Sequence, residues 1–254
     1  MAKQESTELI PVSDYAIMQA DQADLMDILT MNVGPQGLSQ FDLDRIKVPA
    51  GGGLQFDIPT LDGEEQASTY EGIIVHWQEP RAYWDVNFDE SGGGTPPDCS
   101  SPDGVIGEGK FGPDSEGNPS GRCDDCQMSQ WGSARGGERR GQACKQMRVL
   151  YCVRPDTMLP DVVICPPTSI KNMRKYFLRL AGRQIRFNSV ITRFKLERTQ
   201  SADGITYSRI TPSFVARLDD DQAQRAYEYG EAIKRAIGSR VIDLTQEDLG
   251  EDID

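Results

Sequence analysis

Apolar residues recur in short runs through the middle of the chain, beginning near residue 44. Each run has the length of a β-strand, contains β-branched or aromatic residues, and is bounded by Gly, Pro or polar residues. This pattern predicts a β-rich domain over residues 44–218. The runs are LQFDI, EGIIVHW, RAYWDVNF, RVLYCV and DVVIC.

Two later segments have the periodicity of amphipathic helices. TSIKNMRKYFLRLAGR spaces its large apolar residues at helical intervals and ends near a glycine, which predicts a helix over about residues 169–181. DDDQAQRAYEYGEAIKRAIG begins with acidic residues and ends in glycine, which predicts a C-terminal helix over residues 219–238. The sequence between the two helices forms two strand-like runs around an ADG turn, which is typical of a β-hairpin.

This order of elements predicts a fold that is mainly β with helices, in the α+β class. A five-stranded OB-like barrel fits the order, with a Cys-rich zinc-binding insertion at about residues 89–147 and a C-terminal helix. Other small β-barrels that include a helix fit it as well.

The two ends of the chain are polar and acidic. Residues 1–43 contain one helix-like stretch, DYAIMQADQADLMDILT, and are predicted to form an N-terminal arm. Residues 239–254 are predicted to be a flexible tail, because Asp243 to Asp254 include six carboxylates and no basic group. Three roles fit the tail: it competes with DNA for a basic cleft, docks onto replication or recombination proteins, or only solvates the chain. The residues assigned to partner binding are Asp243, Leu244, Glu247, Asp248, Leu249, Asp252 and Ile253.

The predicted insertion is too poor in large apolar residues to build a core of its own. Four cysteines lie in it, at Cys99, Cys123, Cys126 and Cys144, and the Cys-x-x-Cys pair has the spacing of a tight turn. Four thiolates can bind one Zn²⁺ tetrahedrally and so order the segment. We therefore predict one structural zinc ion, with redox-active or free thiols and a disulfide pair as the alternatives.

Charge is distributed unevenly along the chain. The whole chain has a net charge of -13, yet residues 122–217 contain 18 Lys and Arg against 7 Asp and Glu, a difference of +11. Such a segment indicates a binding site for a polyanion beside acidic flanks. The alternative is a basic face that acidic neighbours balance within one fold.

Aromatic and basic residues alternate in the same part of the chain, as they do in proteins that bind single strands. Aromatic rings stack on unstacked bases and cations contact phosphates. For any single ring, a place in the core is an equally good reading. The predicted DNA-binding residues are Trp77, Arg81, Tyr83, Trp84, Trp131, Arg139, Arg140, Lys171, Lys175, Arg179, Arg186, Arg193 and Lys195.

Sequence motifs of common enzymes are missing from the chain, including a phosphate-binding loop with its Lys, a Gly-x-Ser-x-Gly elbow and His-Glu-x-x-His. His76 is predicted to be a strand residue and not a metal ligand. The sequence contains no long apolar run and no secretory signal, which predicts a cytoplasmic protein without a membrane partner. We therefore predict a binding protein that is not an enzyme, and a homo-oligomer is compatible with this prediction.

The β-rich body, the cysteine-bounded insertion, the helix opening PPTSIKNMRKYF and the acidic ending DLTQEDLGEDID together resemble the single-stranded DNA-binding proteins of phages and mobile elements. The likeness covers roughly residues 44–254 and is to the class that includes the T-even phage helix-destabilising protein. It implies an OB fold, a zinc subdomain, and sequence-nonspecific binding of single-stranded DNA in replication or recombination. Two other functions fit the sequence: a zinc-containing transcription or replication accessory factor that acts through protein contacts, and a nuclease or recombination enzyme.

Overall fold

A six-stranded sheet forms the centre of the protein. We describe it from a computed structural model, in which the described residues are 15–19, 22–35, 42–49, 51–86, 95–134, 141–201, 204–237 and 244–245. The outer strand β1 pairs in parallel with β10, and the other neighbours are antiparallel. In their order across the sheet, the strands are β1 (Arg45–Ile46), β10 (Asp161–Cys165), β9 (Arg148–Val153), β4 (Thr69–Gln78), β11 (Val190–Gln200) and β12 (Thr206–Arg217).

In the described residues, two smaller sheets and four helices complete the mixed α+β fold, in which sheets predominate. A hairpin consists of β2 (Phe56–Thr60) and β3 (Gly63–Ala67). A four-stranded sheet, here called the small sheet, has the order β7 (Glu108–Gly109), β6 (Cys99–Ser101), β5 (Arg81–Tyr83) and β8 (Lys145–Gln146). The helices are α1 (Ala16–Gln19), α2 (Gln22–Val33), α3 (Pro167–Ala181) and α4 (Asp220–Ile237), and short 3-10 turns lie at Gln127–Ser129 and Phe187–Ser189.

Successive side chains of a strand point to opposite sides of a sheet. Other elements cover both sides of the central sheet, so both of its faces are buried. One face packs against α4, the start of α1 and the rear of the small sheet, and the other packs against α3 and the β2–β3 hairpin. The first core includes Ile73, Val75, Tyr151, Ala226, Tyr229 and Ile233. The second core includes Phe56, Ile74, Leu150, Phe194, Met173, Tyr176 and Leu180.

Most of the elements predicted from periodicity are confirmed. The runs RVLYCV and DVVIC coincide with β9 and β10, and both helices and the β11–β12 hairpin lie where they were expected. The polar strand β3 was missed, since GEEQA is almost wholly exposed and is ordered only by pairing with β2. Its sequence has no apolar period to reveal it.

The predicted five-stranded OB-like barrel is not closed among the residues that the structure describes, because the six-stranded sheet has two edges, β1 beside β10 at one side and β12 at the other. β1 occupies the outer edge of β10, with Arg45 opposite Val162. On β12, α3 satisfies the main chain of Ile210: its N–H donates to Ser169 Oγ at 2.9 Å, and Asn172 Nδ2 donates to its carbonyl at 3.1 Å. Because the outer edge of β10 pairs with β1 and Ile210 of β12 bonds to α3, β10 and β12 do not pair with each other.

The ends of the chain contribute to the first core. Tyr15 and Leu244 are each 1% exposed and belong to the same buried cluster as α4. Leu244 was predicted to dock onto a partner, and its burial corrects that assignment. The other residues assigned to partner binding lie outside the described part of the chain.

Membrane-spanning helices were also sought. Among the helices of the described ranges, none is long and apolar enough to cross a bilayer.

Candidate nucleic-acid interface and cysteine cluster

The outward side of α3 carries only positive charge. Met173, Tyr176 and Leu180 are buried, and this fixes which side of the helix faces solvent. From residue 162 through residue 196 the chain contains no Asp or Glu. We call the exposed basic residues of α3 and of the turn that follows it the α3 basic surface; they are Lys171, Arg174, Lys175, Arg179, Arg183 and Arg186.

Among the described residues, the cations of the α3 basic surface have no acidic partner. None of the ion pairs found within the described ranges includes any of its residues. Other cations of the same segment are paired: Arg193 contacts Glu71, and Arg209 Nη2 lies 3.0 Å from Glu197 Oε2. The positive potential of α3 is therefore not balanced by ion pairs along the described chain, as a site for a polyanion requires.

An exposed aromatic ring lies beside this surface. Tyr227 of α4 is 41% exposed, and the guanidinium carbon of Arg186 is 5.9 Å from the centre of its ring. Tyr227 was not among the predicted DNA-binding residues, because the predicted aromatics all came from strand-like runs or from the insertion. The helical period could have revealed it, since Tyr229, two positions later, turns inward and is buried.

The basic residues of β11 face the other way. Phe194 packs in the core next to α3, so its neighbours Arg193 and Lys195 point to the opposite face of the sheet. The predicted basic run therefore forms two surfaces and not one. Arg193 is also half-buried in its ion pair with Glu71. We exclude both residues from the α3 basic surface.

Two of the aromatics predicted to stack on bases are core residues. Tyr83 is 3% exposed and Trp84 is 8% exposed, and the indole Nε1 of Trp84 donates to the carbonyl of Thr95 at 2.9 Å. Neither ring has a free face for a base. The error arose because an aromatic on a strand has the same sequence signature whether it points inward or outward.

Trp77 is half-buried and packs against the side chains of Phe177 and Arg148. Its ring centre is 6.0 Å from that of Phe177 and 4.8 Å from the guanidinium carbon of Arg148. Arg148 also pairs with Glu79. These contacts favour a packing role for Trp77. His76, predicted to be a strand residue, lies on β4 and stacks on Tyr151.

Trp131 is the tryptophan that offers its ring to solvent. It is 78% exposed in the insertion, next to Gly132, whose N–H donates to the carbonyl of Gly141 at 2.7 Å. Arg139 and Arg140, predicted to act with it, lie outside the described residues. Trp131 retains its predicted suitability for stacking on a base.

Two of the four cysteines of the insertion, Cys99 and Cys144, lie on one face of the small sheet. Cys99 lies opposite Tyr83 in the pairing of β6 with β5, and Cys144 directly precedes β8 on the other side of β5. Cys99, Tyr83 and Cys144 form one buried cluster. Cys123 and Cys126 lie on a tight turn in which the Cys126 N–H donates to the Cys123 carbonyl at 3.3 Å. None of the four is in a disulfide.

The electrostatics of these thiols show that they are neighbours. Burial raises the pKa of the Cys144 thiol to about 12, Arg81 lowers it, and the thiols of Cys123, Cys99 and Cys126 raise it further. Burial likewise raises the pKa of the Cys99 thiol, and Cys123 and Cys126 of the tight turn also raise it. The pKa of Cys144 therefore responds to each of the other three cysteines of the insertion.

Hydrogen bonds offset part of the effect of burial on two of these thiols. Burial raises the pKa of Cys99 and of Cys123, whereas the main-chain N–H of Phe111 lowers it at Cys99 and the hydroxyl of Ser101 lowers it at Cys123. Space is also restricted, since a Cβ added at Gly107 would meet Cys99 Sγ at 3.2 Å. Within the described ranges, no three His, Cys, Asp or Glu side chains are already arranged as a metal centre. The donor set and its surroundings nevertheless fit a thiophilic ion such as Zn²⁺.

Comparison with known proteins gives no relative from which a function could be transferred. No family model, no curated protein and no solved structure matches the chain. The function is therefore inferred from the arrangement of its own residues.

Proposed function

We propose that the protein binds single-stranded DNA without sequence preference and acts in replication or recombination. The observation that carries this proposal is the α3 basic surface, whose cations have no acidic partner along the described chain. A row of Lys and Arg on one helix face can follow a phosphate backbone, and its contacts are the same for every base sequence.

Exposed aromatic rings favour a single strand over a duplex. Tyr227 lies beside Arg186 at the edge of the α3 basic surface, and Trp131 is exposed on the insertion. Bases can stack on such rings only where they are not already stacked in a duplex. Both rings can bind any base, because every base has a flat face.

The strand connectivity also supports the proposal. β4, β9 and β10 form a meander, α3 follows, and β11 of the final hairpin returns to pair with β4. We propose that this is an open form of the OB-type arrangement, a partly open five-stranded fold used widely for oligonucleotides. The insertion lies between its first two strands, in a loop that OB folds use for binding.

We further propose that one Zn²⁺ holds the insertion in shape. Cys99, Cys123, Cys126 and Cys144 would be its ligands, and the metal would supply the cross-links that an apolar core does not provide there. The role of the metal is structural, because four thiolates leave no coordination position for a substrate.

Quenching of tryptophan fluorescence tests the proposed function. We expect oligo-dT to quench the wild-type protein, and Trp131→Phe to remove most of that quenching, because a base stacked on Trp131 is in direct contact with the fluorophore. Trp84→Phe is the matched control and should keep the quenching. The oligonucleotide should be recovered intact after incubation with Mg²⁺.

Two results would count against this picture. Equal quenching in Trp131→Phe and the wild type would show that Trp131 does not contact DNA. Cleavage of the oligonucleotide would point to the nuclease alternative.

A further inference from the structure

The residue pairing of the small sheet places Arg81 beside the cysteine cluster. On β5, Arg81 and Tyr83 are two residues apart and so point to the same face. Arg81 lies opposite Ser101 of β6 and Gln146 of β8, in the row next to the one formed by Cys99, Tyr83 and Cys144. Ala82 points the other way, into the first core.

One nitrogen of Arg81 is buried without a partner. Its Nη1 is inaccessible to solvent and makes no hydrogen bond to any residue of the described ranges. A buried guanidinium N–H without an acceptor costs free energy, so such a group needs a compensating contact. Cys144 lies in the neighbouring row of the same face, since Arg81 pairs with Gln146. Burial raises the pKa of the Cys123 and Cys144 thiols, and the guanidinium of Arg81 lowers it.

We propose that Arg81 is a positioning residue of the zinc centre, where its charge balances the four thiolates and its Nη1 donates to the sulfur of Cys123 or Cys144. This inference rests on the zinc site of the proposed function. It also replaces the predicted role of Arg81 as a DNA contact, because a buried Nη1 is not available to phosphate.

Charge explains why an arginine suits this place. Zn²⁺ bound by four thiolates has a net charge of about -2, and burying that charge is costly unless cations and N–H donors compensate it. The N–H of Phe111 and the hydroxyl of Ser101 supply hydrogen bonds but no charge. Arg81 supplies both. Outer groups of this kind orient the ligands and set the affinity of the metal.

The test is a zinc-affinity measurement by chelator competition on the full chain, comparing the wild type with Arg81→Gln and Arg81→Lys. We expect Arg81→Gln to weaken zinc binding about 10-fold to 100-fold, the usual effect of losing an outer partner. Arg81→Lys should recover part of the loss, since it restores the charge. Arg122→Gln is the matched control: Arg122 directly precedes Cys123, but its side chain is half-exposed and faces Asp124 and Asp125.

A second measurement separates an effect on the thiolates from general unfolding of the insertion. With Co²⁺ in place of zinc, the sulfur-to-metal charge-transfer band should shift in Arg81→Gln and not in Arg122→Gln, because loss of a donated hydrogen bond makes the sulfur a stronger donor. Unchanged affinity and an unchanged band in Arg81→Gln would overturn the proposal. Wild-type protein that binds no zinc would instead contradict the metal site itself, and a loss of DNA binding alone would leave the role of Arg81 intact.

Discussion

Neutralising three cations of the α3 basic surface is expected to lower the affinity for single-stranded DNA by about two orders of magnitude at low salt. The variant is Lys171→Gln, Lys175→Gln and Arg179→Gln, whose exposed positions lie one helical turn apart along α3. Each phosphate contact on a single strand contributes about -0.7 to the slope of log K against log salt, so three contacts contribute about -2. Over a tenfold change in salt, from about 0.5 M to about 50 mM, that slope corresponds to roughly a hundredfold.

A matched control keeps the change in net charge equal. The variant Lys47→Gln, Lys110→Gln and Arg122→Gln also removes three positive charges, but each of these cations already pairs with a carboxylate. Its affinity should change little, because a cation already paired with a carboxylate contributes less potential toward DNA. Fluorescence anisotropy of a labelled oligo-dT measures both variants. Equal losses in the two would mean that net charge, and not the α3 basic surface, governs binding.

Removing one ligand of the cysteine cluster is expected to abolish stoichiometric zinc and to loosen the insertion. Cys123→Ser leaves three thiolates, and the free energy of metal binding no longer supports the fold of the segment. We expect the zinc content to fall from about one per chain to nearly none, and proteases to cut within the insertion. The second core of the central sheet contains no residue of the insertion, so α3, which packs in that core, should retain its helical circular dichroism.

Cys165→Ala is the matched control for this prediction. Cys165 is fully buried in the second core, and it is not one of the proposed ligands. The variant also removes one cysteine and should keep its zinc, although with a less stable core. Metal analysis after purification without chelators decides the outcome. Protein without zinc in the wild type, or with full zinc in Cys123→Ser, would refute the assignment.

The sequence predicts elements well where one periodic pattern determines them. α3 has buried residues on one side and cations on the other, and β9 and β10 are continuous apolar runs that are buried on both faces. The sequence did not predict features that depend on which strands pair across the fold. A run of two residues at β1 does not reveal that it covers the edge of β10, and it is this contact that helps keep the sheet open.

The same distinction holds for the candidate site. Cysteine spacing alone brought four ligands into one prediction, because a Cys-x-x-Cys turn is a local feature. The direction of a strand side chain is not local information, so Tyr83 and Trp84 were assigned to DNA although both are buried, and Arg81 although one of its nitrogens is buried. The helical period does predict an exposed Tyr227, but its place beside Arg186 depends on how α4 packs, which no local pattern shows.

The most direct test of the central claim is a salt titration of the wild-type protein with a single-stranded oligonucleotide and a duplex of equal length. We predict tighter binding of the single strand at every salt concentration, with a slope of log K against log salt no steeper than about -4 if all six cations of the α3 basic surface contact phosphates. Affinity that is equal for the two forms, or that does not change with salt, would contradict the proposal that this surface binds single-stranded DNA.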